Sequence, residues 1–141
     1  MQQDTALRSV ISGWFESLVN ADNTWRDRHV SHDPDLRIVG TDPAEWLKGE
    51  PAYAFLKGEA ESVGGHVKID VRDVEAFSQG DVGWGVARPV IELPDGNKVT
   101  PRWSAVFRKE DGAWMLVQLH ASIAIGNDEA FGDAVSFPPA G

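Results

Sequence analysis

The chain has 141 residues, a formal net charge of −9 and hydrophobic residues at 42% of its positions, enough for one domain with a single core. It has no cysteine, which excludes disulfides, thiolate catalysis and zinc–thiolate sites. Its acidity argues against nucleic acid as a partner, and the absence of an apolar run of transmembrane length argues against a membrane role.

The N-terminal "MQQDTALRSV" lacks the basic and apolar regions of a signal peptide, so a cytoplasmic location is expected. Leu7, Val10, Ile11, Trp14, Phe15 and Leu18 recur at three- and four-residue steps, the period of an amphipathic helix, with Asp4 as its N-cap. A short helix over Thr24–His29 is expected next, opened by Asp22 or Asn23, and then a brief strand, "DLRIVG". Asp42 and Glu45 form a capping-box pattern with Pro43 between them, which predicts a short helix stopping at Gly49. Pro51 starts another, carrying Ala52, Phe55, Leu56 and Val63 on one side and ending at Gly64-Gly65; its acidic run "GEAES" reads as a solvated face.

From Val67 the period becomes two. Val67, Ile69 and Val71 alternate, the phase then slips to Val74 and Ala76, and a bulge or bend near Arg72-Asp73 is predicted. A strand from Val82 to Leu93 follows, with "PDGN" and "EDGA" as hairpin turns around the last two strands. Helices first and four long antiparallel strands after them predict an α+β fold, helices on one face of a curved sheet. Residues 1–126 form the expected single domain, and 127–141 a C-terminal tail without clear period.

On the last strand Met115, Val117, Leu119, Ala121, Ile123 and Ile125 form an apolar row, expected beneath the helices. The opposite row, Trp114, Leu116, Gln118, His120 and Ser122, is mixed and too apolar to stand bare, which predicts a homodimer built on that face. On the strand from Val82, the row Trp84, Val86, Arg88 and Val90 is assigned to the concave side, with Gly85, Ala87 and Pro89 on the other. Gly80, Gly83 and Gly85 do not make a phosphate loop; they permit close packing of the sheet.

The "GDVGW" strand, the "W…VQLHAS" ending and the earlier "DPDLRIVGTDPAEWLKG" resemble SnoaL-like members of the nuclear transport factor 2-like superfamily, over roughly residues 5–125. The same pieces are similar to the association domain of calmodulin-dependent kinases. The resemblance implies a cone-shaped fold with a pocket between the helices and the concave sheet, and dimers formed through the convex side. It also implies that Leu119 and Ala121 face the pocket while His120 and Ser122 face the interface. With the strand phase reversed, His120 would instead be the best general base in the chain.

The ketosteroid isomerases of this superfamily use a carboxylate base with a tyrosine and a protonated aspartate. The corresponding positions here fall on Arg37, Phe15 and Ala105. An arginine stays protonated and cannot abstract a proton, so steroid-type isomerisation is not expected. His29, His32 and Asp33 have the chemistry of metal ligands but lack a convincing further partner, so neither metal nor other cofactor is expected. What remains is a ligand pocket to which Arg37, Trp46, Tyr53, Trp84, Arg88 and Trp103 would contribute. Paired guanidinium groups against aromatic walls would favour a small organic anion. Two alternatives stand beside this reading: a lyase, isomerase or hydrolase with a variant site built from His29, Tyr53 or His120, or a pure oligomerisation module.

Overall fold

The structure, a computed structural model, describes residues 1–140. In chain order the elements are β1 (Gln2–Gln3), α1 (Thr5–Val19), α2 (Thr24–His29), β2 (Arg37–Val39), β3 (Trp46–Lys48), α3 (Glu50–Val63), β4 (Lys68–Gln79), β5 (Val82–Glu92), β6 (Lys98–Val99), β7 (Arg102–Glu110), β8 (Ala113–Ser122) and α4 (Asn127–Phe131). One sheet runs in the order β1-β4-β5-β7-β8-β2-β3, with β6 paired to β5. The four long strands are antiparallel neighbours, but β2 joins β8 in parallel, so the sheet is mixed where an antiparallel one was expected.

Helix α1 starts where its cap dictates. One Asp4 carboxylate oxygen accepts from the Leu7 amide at 2.8 Å, and the other accepts from the Ser78 hydroxyl at 2.8 Å, tying the helix to β4. Its stripe of Leu7, Ile11, Trp14, Phe15 and Leu18 is buried against the sheet. In α2, the Trp25 indole donates to the Val10 carbonyl at 2.8 Å and sits edge-on to Trp14.

The helix expected between Asp42 and Gly49 is absent. The capping-box contacts do form, the Asp42 amide donating to Glu45 Oε2 and the Ala44 amide to Asp42 Oδ1, but they close only a turn. A capping signal favours a first turn but does not oblige the chain to continue as a helix, whose stability comes chiefly from tertiary packing. The chain instead pairs Trp46–Lys48 against β2, placing Leu47 opposite the buried Ile38.

Two bulges control which side chains face the core. In β4 the register shifts between Arg72 and Glu75, where Asp73 takes a positive φ of 54°, as the phase slip in the sequence predicts. In β8 the pairing passes from Val106–Gln118 to Phe107–Leu116, leaving Val117 as the extra residue. Below this bulge Trp114 and Leu116 are buried in the helix-covered core; above it Leu119 is. Trp114 and Leu116 therefore do not share a face with His120 and Ser122, contrary to the unbroken alternation read from the sequence.

The assignment for β5 is also reversed. Gly83, Gly85, Ala87 and Pro89 are the buried row, while Trp84, Val86, Arg88 and Val90 lie on the outer face. Hydrophobic content misleads here because α1 lies almost directly on the backbone. A Cβ at Gly83 would come within 2.5 Å of Leu7 Cδ2, and one at Gly85 within 2.3 Å of Ile11 Cδ1.

Candidate functional site

A cavity of about 170 Å³ lies between α1, α3 and the helix-covered face of the sheet. Trp14, Phe15 and Leu18 come from α1; Phe55, Leu56, Glu59 and Val63 from α3; Trp103, Leu119 and Ala121 from the strands. Val39, Gly40, Thr41 and Glu45, from the β2–β3 hairpin, complete one side. Phe15 packs against Trp103 with ring centroids 5.3 Å apart. The walls are largely apolar, with few polar groups, which is the usual make-up of a small-molecule site.

Two charged side chains line this cavity, and both are acids. Glu59 sits one helical step after Phe55 and one before Val63, so the helix period carries it to the cavity side. The reading of "GEAES" as a wholly solvated face is thus corrected at Glu59; the four-residue spacing 55, 59, 63 was the available signal. Burial raises the Glu59 carboxyl above the ordinary carboxylate range, the charge on Arg26 opposes that rise, and Glu45 adds to it.

Glu45 is fixed by the turn described above, its Oε2 accepting from the Asp42 amide at 2.9 Å. It fits because residue 40 is a glycine: a Cβ there would stand 2.4 Å from Glu45 Oε1.

Arg26, on α2, is fully buried. Its Nε donates to the Leu56 carbonyl at 3.1 Å, Nη1 donates to the Ser17 hydroxyl, and the guanidinium lies 4.3 Å from the Trp14 ring centroid. Among the described residues Nη2 finds no acceptor, and neither does the buried indole nitrogen of Trp103. Burial lowers the Arg26 pKa to about 10, against the attraction of Glu59 and Asp22, so the group stays charged near neutral pH.

Of the six residues expected to form the pocket, the structure brings only Trp103 to it. Arg88 lies on the outer face, where its Nε donates to Asp73 Oδ2 at 2.7 Å. Trp84 pairs across the strands with Val106 and Phe77 on that same face. Arg37 stands opposite Gln118 and covers the exposed ring of Trp46, 5.4 Å from its centroid. Tyr53 points toward α2, donating to Asp27 Oδ1 at 3.2 Å and stacking on His32 at 4.1 Å. With both arginines outside, the basis for preferring an anion is gone.

His120 stands opposite Ser104 on the outer face, and Leu119 and Ala121 line the cavity. The three residues considered as metal ligands go separate ways. His29 Nδ1 is 2.9 Å from the Trp114 carbonyl oxygen, His32 Nδ1 is 3.2 Å from Glu50, and Asp33 accepts from Arg108.

A family profile described as SnoaL-like domain matches residues 7–126. Among solved structures, a nuclear transport factor 2-like protein of unknown function from Pseudomonas putida superposes with a TM-score of 0.74 at 16% identity, covering 90% of this chain and 93% of that one. A candidate dehydratase of the same superfamily from Streptomyces avermitilis gives 0.68 at 16% identity, with coverages of 83% and 93%. A Xanthomonas campestris protein, named as a candidate calcium/calmodulin-dependent kinase II association domain, gives 0.61 at 18% identity, with coverages of 84% and 86%. At these identities the likeness is one of fold. No curated protein matches the sequence.

Proposed function

The chain belongs to the SnoaL-like domain family, and we propose that this member binds a small, largely apolar organic molecule in the cavity between α1, α3 and the sheet. One observation carries the reading: the half-buried Glu59 stands on a wall of Trp14, Phe15, Phe55, Leu119 and Trp103, burial raises its pKa, and its carboxyl makes no hydrogen bond or ion pair among the described residues. A carboxyl left unmatched among apolar groups costs stability. The position makes sense for a group that meets a ligand.

The experiment is binding of benzyl alcohol, followed by ligand-observed NMR, to the wild type and to Ala121→Phe, which fills the cavity from β8. Binding to the wild type that is lost in the folded variant supports the reading. Equal binding to both removes it, as does the absence of binding to the wild type by benzyl alcohol and by its amine and acid analogues alike.

A second reading, proton-transfer catalysis, is favoured by the raised pKa of Glu59, since a carboxyl shifted toward neutrality serves as a general acid or base. The naming of the Streptomyces neighbour as a candidate dehydratase points the same way. Its mark would be turnover of a hydroxy-carbonyl compound that disappears in Glu59→Gln while binding persists.

We further propose that the protein pairs through the outer sheet face. Val86 is 43% exposed there, beside the half-buried Val106 and the neighbouring Trp84, an apolar area framed by Arg88, His120 and Ser122.

A further inference from the structure

The charge of the cavity wall narrows the ligand class, on the reading that the cavity is the binding site. Glu59 and Glu45 contribute the only charges among its lining residues, and neither takes part in an ion pair among the described residues. Arg26 attracts Glu59 through space but makes no hydrogen bond or ion pair with it: its Nε and Nη1 go to Leu56 and Ser17, the face of Trp14 takes the guanidinium, and Nη2 has no partner among the described residues. Two carboxyl groups thus share a largely apolar cavity, with Arg26 acting on Glu59 from outside the lining and no cation among the described lining residues. A net charge of −9 adds a long-range field that draws cations toward the molecule.

We propose that the cavity takes an organic amine in its protonated form, the ammonium group between Glu59 and Glu45 and its apolar body against Trp14, Phe15, Phe55 and Trp103. Each part has a physical reason. An ammonium donates charge-assisted hydrogen bonds to both carboxylates, and such bonds are stronger than neutral ones. It relieves the repulsion between the two acids, and the aromatic faces attract a cation through their quadrupoles. A bare divalent ion suits the site poorly. Calcium wants roughly six to eight oxygen ligands, and the rest of the lining is almost wholly hydrocarbon. An organic anion would face two like charges.

The test uses three probes of one shape and different charge: benzylamine, benzyl alcohol and benzoate at neutral pH, titrated into the intact protein by isothermal calorimetry. Benzylamine should bind at least about tenfold more tightly than benzyl alcohol, the ratio expected of one charge-assisted hydrogen bond, with benzoate weakest. Glu59→Gln, checked for folding by circular dichroism, should bring benzylamine and benzyl alcohol to within about threefold of each other. Glu45→Gln is the second variant and should reduce the ratio in the same direction. Equal binding of amine and alcohol by the wild type, or an amine preference unchanged in both variants, would overturn the proposal while leaving the cavity reading intact. Binding of none of the three would remove both.

Discussion

Gly85 on β5 lies directly beneath Ile11 of α1, so close that a Cβ at residue 85 would stand 2.3 Å from Ile11 Cδ1 and 2.7 Å from the Glu75 carbonyl oxygen. Gly85→Ala should therefore cost about 1–3 kcal/mol through overpacking. Ile11→Ala alone should cost about 2–5 kcal/mol by leaving a void. The double variant should cost clearly less than the sum, because each change relieves the other. Urea unfolding measures all three, and strictly additive losses would show that helix and strand are not in this contact.

Asp4 caps α1 and holds Ser78, and its carboxyl lies below the ordinary value chiefly through the Leu7 amide and then the Ser78 hydroxyl. Asp4→Ala should cost about 1 kcal/mol at neutral pH. A lowered folded pKa gives stability that is present above the unfolded value of 3.8 and lost as pH falls through the lower folded value. The difference between wild type and variant should accordingly shrink in strong acid, by thermal melts from pH 7 down to pH 2.

Glu59 has the opposite sign. Burial, its largest cause, raises the folded pKa above 4.5, so the native state holds its proton more tightly than the unfolded chain. Stability should fall as pH rises from about 4.5 through the folded value. In Glu59→Gln that component of the slope should vanish, leaving Arg26 and Glu45 as the charges around the site. Melting temperatures across pH 4 to 8 measure it; identical slopes in the two proteins would place Glu59 in solvent.

Self-association can be separated from folding by two substitutions. Val86→Arg changes an exposed outer-face residue and should give a folded monomer by sedimentation velocity. Leu116→Arg buries a charge in the core beneath the helices and should unfold the chain. A wild type that already sediments as a monomer at micromolar concentration would end the pairing proposal.

The features legible in the sequence are those that a local rule determines. The α1 stripe, the Asp4 cap, the Gly64-Gly65 stop and the β4 phase slip each depend on a few neighbouring residues, and each is where the pattern puts it. The site was less legible because it depends on strand phase. Val117 sits in a bulge that nothing in "WMLVQLHASIAI" announces, and it moves Trp114 and Leu116 to the other side. On β5 the smallest residues, Gly83 and Gly85, mark the buried face, so a rule that buries the larger side chains places Trp84 and Arg88 on the wrong side. Glu59 was hidden by its acidic neighbours, although its spacing from Phe55 and Val63 was visible.

The six tryptophans allow the central claim to be tested in one titration. Trp14 and Trp103 line the cavity, whereas Trp46 is exposed on β3 and Trp84 lies on the outer face. With assigned indole N–H signals in 15N-labelled protein, benzylamine should shift those of Trp14 and Trp103 in a saturable manner and leave those of Trp46 and Trp84 in place. Saturable shifts confined to Trp46 and Trp84, or no saturable shift at any indole, would contradict the assignment of the cavity as the ligand site.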